Sequence, residues 1–134
     1  MGYKAILYTA NVSSQSVTDG DTINLGSVIR RVGSNINLSG NAIAIQGVGY
    51  YDVDVSVTAS PTTTGTMTVS LYKDGVLVPG ATSSQATSTA GNPVSINFGG
   101  VVREMCCSET SNLTLKVSGV AGTISNLSII VEKL

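Results

Sequence analysis

The 134-residue sequence lacks histidine and tryptophan and has little charge, cysteine or aromatic content. Without histidine it has no side chain that exchanges protons near neutral pH, no Ser-His-Asp or Cys-His arrangement, and no imidazole ligand for a metal. Its two cysteines make neither a zinc site nor a disulfide framework. We therefore expect a protein that is not an enzyme and that binds no cofactor and no metal.

Charge is too scarce and too balanced to attract a polyanion. Only 11% of the residues are charged, and the formal net charge is −1. Nucleic acids and anionic membranes are bound by clustered positive charge, which this composition lacks. The N-terminal apolar stretch at 5–7 is shorter than an export signal requires, and no apolar run is long enough to span a membrane. We expect a protein made in the cytoplasm without a signal peptide, with no nucleic-acid partner and no membrane insertion.

The sequence does contain runs in which apolar and polar residues alternate, the pattern of a strand with one buried face. Residues 67–71 and 113–117 alternate in this way, and β-branched residues are common in such runs. Asp74-Gly75 tolerates the positive φ angles of a type I′ turn and predicts a hairpin. We predict a single domain over 1–134, an all-β antiparallel sandwich of ten strands and no helix, most like a jelly roll. The predicted strands are 4–10, 22–29, 35–38, 42–46, 49–59, 66–73, 76–87, 94–105, 111–118 and 123–132.

The first and last predicted strands, 4–10 and 123–132, have apolar residues at successive positions. Because successive side chains point to opposite faces of a sheet, both faces of these strands must be covered. One face packs inside the sandwich, but a two-layer domain without helices has nothing of its own to cover the other. We therefore predict oligomerisation through the sheet that contains both terminal strands.

Several segments resemble the C1q/TNF-like domain. In 43–57 an apolar strand leads through Gly49-Tyr50-Tyr51, a Gly-x-Tyr pattern, into a long alternating strand. In 67–80 a strand is followed by Asp74-Gly75, where the family more often has Asn-Gly, and then by a valine. Segments 112–117 and 124–131 are placed like the last two strands of the family. The resemblance covers roughly 35–134 and implies a jelly roll that assembles as a homotrimer through the sheet holding both terminal strands.

The resemblance also implies a function, because members of the family act mainly by presenting a trimeric surface to a partner. They include secreted recognition proteins, collagen-like spore-surface glycoproteins and small trimeric proteins of phage heads. This sequence has no Gly-X-Y run and no recognisable export signal. We interpret it as a phage or prophage virion component, either a capsid decoration or a head fibre, whose partners are itself, a capsid or other surface protein, and host-surface glycans. The alternatives are an adhesion domain of a spore or cell surface, and a carbohydrate-binding module.

Asp52 and Asp54 lie two residues apart and so share one strand face with Tyr50. A solvated polar face is the plainer interpretation, but the resemblance places this strand near a threefold axis, where three copies gather six carboxylates. Such a cluster needs a hard cation such as calcium or nearby arginines, and we hypothesise a charge-compensated axial patch. The candidate arginines are Arg30, Arg31 and Arg103. The predicted residues of the trimer interface are Ile6, Tyr8, Tyr50, Asp52, Asp54, Arg103 and Ile130.

Cys106 and Cys107 are adjacent, so in a strand their side chains would face opposite ways. The plainer interpretation is a pair of small hydrophobic residues at a strand end. The alternatives are interchain disulfides in an oxidising medium and a soft-metal site on the threefold axis.

Overall fold

The structure, a computed structural model of the chain, describes residues 4–105 and 110–134. These ranges contain eleven strands and no helix, so no helix among them is long and apolar enough to cross a membrane. The strands are β1 (Ile6–Asn11), β2 (Gln15–Val17), β3 (Ser27–Val32), β4 (Ile36–Ser39), β5 (Ala42–Gln46), β6 (Gly49–Pro61), β7 (Gly65–Lys73), β8 (Val76–Thr87), β9 (Val94–Glu104), β10 (Thr110–Gly119) and β11 (Gly122–Lys133).

The strands form two antiparallel sheets. The first, which we call the terminal sheet, has the order β3-β1-β11-β6-β9, with β2 paired to one end of β11. The second sheet has the order β4-β5-β10-β7-β8. The first and last long strands, β1 and β11, are direct neighbours, with Ile6 opposite Glu132 and Asn11 opposite Leu127. This architecture confirms the predicted all-β jelly-roll sandwich.

Alternate side chains of both sheets point inward and form one hydrophobic core. On β6 the inward residues are Val53, Val55 and Val57, and on β10 they include Leu113 and Leu115. Each is at most 3% exposed. Full burial of such a side chain contributes about 1.5–3 kcal/mol, so the alternating sequence pattern supplies the main stabilising term of the fold.

The predicted hairpin at Asp74-Gly75 is confirmed. Asp74 has φ +51° and Gly75 has φ +81°, the left-handed pair that a type I′ turn requires. Lys73 and Val76 pair across the turn. The Asp74 carboxylate also accepts a hydrogen bond of 2.9 Å from the backbone N–H of Asn112, which joins the hairpin to β10.

The predicted strand 22–29 is wrong in its position. Thr22 makes only an isolated bridge to Lys116, and the strand itself begins at Ser27. Gly26 has φ +82° and donates its N–H to the Asn24 side chain at 2.9 Å, so the backbone turns just before β3. Ile23 and Leu25 are both fully buried, although neither belongs to a strand. Their burial explains why apolar and polar residues alternate in this segment.

The described residues form eleven strands where the sequence predicts ten, because β2 is an additional one. Its three residues, Gln15–Val17, pair with Gly122–Ile124 at the end of β11. Three residues are too short a segment to display a period-two pattern. The extra strand lengthens the terminal sheet along β11 and leaves the jelly roll unchanged.

Candidate self-association surface

The outward face of the terminal sheet carries all seven residues that the sequence predicts for an interface. Tyr8 lies opposite Ile130, and Ile130 lies opposite Asp54. At the edge of the sheet Tyr50 lies opposite Arg103. The inward neighbours of these residues, such as Leu7, are fully buried, which fixes the other side chains on the outward face. The seven are therefore neighbours across β1, β11, β6 and β9.

Part of this face is apolar and incompletely covered. Ile130 is 39% exposed, and Ile6 and Tyr8 beside it are half-buried. Val32 on β3 lies opposite Ile6, Val101 lies on β9, and both are 53% exposed. A continuous apolar surface therefore covers β3, β1 and β11, with Val32, Ile6, Tyr8 and Ile130, and Val101 lies apart from it on β9, beyond Glu132 and Asp52. Contiguous apolar patches of this kind mark contact sites on soluble proteins.

The same face carries three carboxylates, one more than the sequence predicts. Glu132 on β11 lies directly opposite Asp52 on β6, and Asp54 lies two residues further along β6. The side chain of Asp54 leans over Gly99, where an added Cβ would lie 3.0 Å from its Oδ1 atom. Like charges directly opposite each other across two strands destabilise the pair. We call Asp52, Asp54 and Glu132 the acidic cluster.

Glu132 was missed because its partner is far away in sequence. Its position opposite Asp52 depends on the pairing of β11 with β6, which also contains an irregularity between Ile124 and Asn126. A shift of one residue in that pairing would move every following side chain to the other face. The available signal was the alternation Ile130, Glu132, which places both on one face of the last strand.

Two of the three candidate arginines lie on this face. Arg103 is exposed on the edge strand β9, with its guanidinium carbon 5.9 Å from the centroid of the Tyr50 ring. Arg30 on the opposite edge strand, β3, is level with Tyr8. Arg31 is level with the inward residue Leu7, so its Cβ lies on the other side of β3. The cross-strand partners of the acidic cluster include none of these arginines.

Within residues 4–105 and 110–134, no group of three or more His, Cys, Asp or Glu side chains is arranged to hold a metal ion. The calcium alternative therefore has no ligand set inside one copy of this part of the chain. The same part of the chain forms no pocket. Cys106 and Cys107 lie outside the described residues, and the interpretations of this pair remain predictions.

Two buried polar residues that the sequence analysis did not identify, Tyr51 and Glu104, lie near the start of β6. Tyr51 is fully buried, and its hydroxyl shares its one proton between the carbonyl oxygens of Gln46 at 2.9 Å and Gly47 at 2.8 Å. Glu104 is 3% exposed, and its Oε1 accepts a hydrogen bond of 3.0 Å from Ser111. Its other oxygen, Oε2, has no hydrogen-bond partner in the described part of the chain. Burial, and secondly the charge of Glu104, raise the pKa of Tyr51 above its ordinary value of 10.0.

Tyr51 is expected to make the fold sensitive to alkali. Below the pKa of Tyr51 in the unfolded chain, near 10, the phenol is protonated in both the folded and the unfolded state. Its contribution to the free energy of unfolding is then complete. As the pH rises above this pKa, the phenol of Tyr51 ionises first in the unfolded chain. Its contribution to the free energy of unfolding then decreases until the pH reaches the higher pKa of the folded state. Urea unfolding followed by circular dichroism from about pH 8 to about pH 11 measures this loss.

Two phenylalanine variants test whether Tyr51 causes the loss of stability at high pH. Tyr51→Phe should flatten the decline above about pH 10, and it should cost about 1 kcal/mol at lower pH through the lost hydrogen bonds. Tyr72→Phe, on the outward side of the second sheet, should keep the full decline. A Tyr51→Phe protein that loses stability with pH as steeply as the parent would contradict the assignment.

No protein-family model and no curated protein matches the sequence significantly. Solved structures do match. Murine APRIL at pH 5.0 gives a TM-score of 0.76 with 17% identity, over 98% of this chain and 100% of that one. The globular domain of zebrafish complement 1qA protein gives 0.71 with 6% identity, over 97% and 96% of the two chains. PRD1 vertex protein P5 gives 0.65 with 13% identity, over 100% and 99%. At such identities the likeness establishes the fold alone, and the fold is the C1q/TNF-like jelly roll that the sequence resembles.

Proposed function

We propose that the chain, as one domain over 1–134, is a non-enzymatic structural protein that assembles as a homotrimer and displays its second sheet. The observation that carries this proposal is the outward face of the terminal sheet, where partly exposed apolar residues lie beside an acidic cluster that has no basic residue directly opposite it. The fold supports the proposal, since the C1q/TNF-like resemblance implies trimers joined through this sheet. The seven predicted interface residues form the proposed contact.

Assembly would give this face the cover that one copy lacks. Burying a few hundred Å² of apolar surface in each copy contributes several kcal/mol at about 25 cal/mol per Å². A closed ring of three also removes the two exposed edge strands of the terminal sheet, β3 and β9, from solvent. All six residues of β3 are exposed in the single chain, and unprotected edges of this kind invite pairing with other chains.

The second sheet is the proposed display surface, because its outward residues are mainly polar apart from Val76 and Leu77 beside the hairpin turn. Its outward residues include Thr68 and Ser84, whose hydroxyls are hydrogen-bonded at 2.6 Å. Lys116 places its ammonium group 5.1 Å from the centroid of the Tyr72 ring. A hydroxyl-rich surface with little charge suits weak contacts with host-surface glycans, which three copies strengthen through effective concentration.

We further propose that the trimer is a virion component, bound to a capsid protein as a decoration or head fibre. The support is the likeness to a phage vertex protein over the whole length of both chains. This step rests on analogy between proteins that share a fold and little sequence.

Two measurements test the proposed function. Light scattering of the purified protein should give three times the chain mass of 13.6 kDa. Particles released from cells that encode the chain, purified on a density gradient, should contain it when analysed by mass spectrometry. A single-chain mass would refute the trimer. Recovery only in spore-coat or cell-wall fractions would refute the virion assignment in favour of surface adhesion, and glycan binding by a monomer would favour a carbohydrate-binding module.

A further inference from the structure

We infer that Arg103 of one copy forms ion pairs with Asp52 and Glu132 of the next, so that these pairs between copies hold the proposed trimer in register. This inference rests on the proposed function, because it requires the terminal sheets of neighbouring copies to meet. It goes beyond that function by naming the charged groups that fix how the copies meet.

The acidic side of the pairing is established within one chain. Asp52 and Glu132 face each other across β6 and β11, and both are already half-buried. The residues directly opposite them on the other neighbouring strands are Ile6 on β1 and Val101 on β9, which supply no positive charge. Covering this face with another apolar surface would desolvate the two carboxylates further, which is costly unless a cation arrives with the cover.

The basic side lies on the edge strand of the same face. Arg103 is exposed, and its guanidinium carbon lies 5.9 Å from the centroid of the Tyr50 ring, which orients the guanidinium on the outward face. Along β9, Arg103 is two residues from Val101, which is level with Asp52. Arg103 is therefore also a diagonal neighbour of Asp52 in its own copy, where its guanidinium lies over the Tyr50 ring, so the experiment must separate a pair between copies from a pair within one chain.

The arrangement fits a head-to-tail contact. If the β9 edge of one copy lies on the β6–β11 face of the next at the same height, Arg103 reaches the level of Asp52 and Glu132. A guanidinium can bond two carboxylates at once through its planar set of donors. The same contact repeats at each of three interfaces, so in a ring of three every acidic cluster receives one arginine from a neighbouring copy.

Arg30 is the rival cation, and the structure favours it less. It is level with Tyr8, and therefore with Ile130 and Asp54, one step away from the facing pair of Asp52 and Glu132. Its guanidinium also donates a hydrogen bond of 3.3 Å to the carbonyl oxygen of Ile29 in its own strand. Arg31 lies on the other side of β3 and serves as a control.

Charge reversal tests the pairing by sedimentation velocity over a dilution series. Arg103→Glu and Asp52→Arg should each raise the concentration for half-assembly about tenfold or more. The double variant, which reverses both charges, should recover most of that loss. Arg31→Glu makes the same charge change as Arg103→Glu and should leave assembly unchanged. Thermal unfolding of each variant checks that the single chains remain folded.

The outcomes separate this inference from the proposed function. If the parent protein is a trimer and Arg103→Glu assembles as well as the parent, the ion pair is refuted and the trimer stands. If Arg30→Glu is the reversal that Asp52→Arg rescues, the arginine is wrongly assigned. If the parent protein is a single chain at every concentration, the proposed function falls and the ion pair with it. Recovery in the Arg103–Asp52 double variant supports the inference if mixing the two single variants also restores assembly, because the mixture can re-form only a pair between copies. Recovery in the double variant without recovery in the mixture would place the pair within one chain and refute the inference.

Discussion

Ile130→Glu is expected to convert the assembled protein into single chains. Ile130 lies on the central strand β11, with Tyr8 on one side and Asp54 on the other, and is 39% exposed. A glutamate there removes apolar contact area and adds a fourth carboxylate beside the acidic cluster. Light scattering should show the mass fall from three times 13.6 kDa to 13.6 kDa. A buried, unpaired charge costs several kcal/mol in each contact, which is enough to dissociate a trimer at micromolar concentration.

Leu77→Glu is the matched control for this substitution. Leu77 is 45% exposed, close to the value for Ile130, but it lies opposite Tyr72 in the second sheet. The two variants therefore carry the same added charge on the two outward faces of the sandwich. Leu77→Glu should keep the parent mass, and both variants should keep the circular dichroism of a folded β-protein. Equal masses for the two variants would mean that the terminal sheet is not the contact.

The sequence predicted the parts of the fold that depend on local chemistry. Alternation placed β6, β7 and β10 because one face of each strand is buried, and Asp74-Gly75 placed a hairpin because few residue pairs accept two positive φ angles. The same local reasoning failed at 22–29. There Ile23 and Leu25 enter the core from an extended segment, and burial alone produced the alternation of a strand.

The candidate site was predictable only in part, for a related reason. Apolar residues at successive positions of β1 and β11 indicated a face that one chain leaves uncovered. The facing pair of Glu132 and Asp52 depends on strands whose residues lie 80 positions apart, and no local pattern encodes that register. The buried pair of Tyr51 and Glu104 was also missed. A glutamate at the end of a strand is usually exposed, so the sequence gives no sign that Glu104 is buried.

A second large effect is expected for Gly26→Ala, which should destabilise the fold by about 3–5 kcal/mol. Gly26 has φ +82°, a conformation that costs an L-residue about 1–2 kcal/mol. An added Cβ would also overlap the carbonyl oxygen of Ala10 and lie 2.7 Å from the Cα of Asn11. Both of these are backbone groups of β1, so the overlap is relieved only if the start of β3 moves away from β1.

Gly80→Ala is the control that separates the cost of a positive φ angle from the cost of the steric overlap. Gly80 also has φ +82°, but nothing lies within 4 Å of its added Cβ. This variant should carry only the cost of the positive φ angle, about 1–2 kcal/mol. Urea unfolding of both variants measures the difference, and equal losses would show that β3 yields to the methyl group without cost. Since β3 carries Val32 and Arg30 beside the proposed contact, a strand displaced in Gly26→Ala should also weaken assembly. Gly80→Ala, on the second sheet, should lower stability while assembly remains that of the parent.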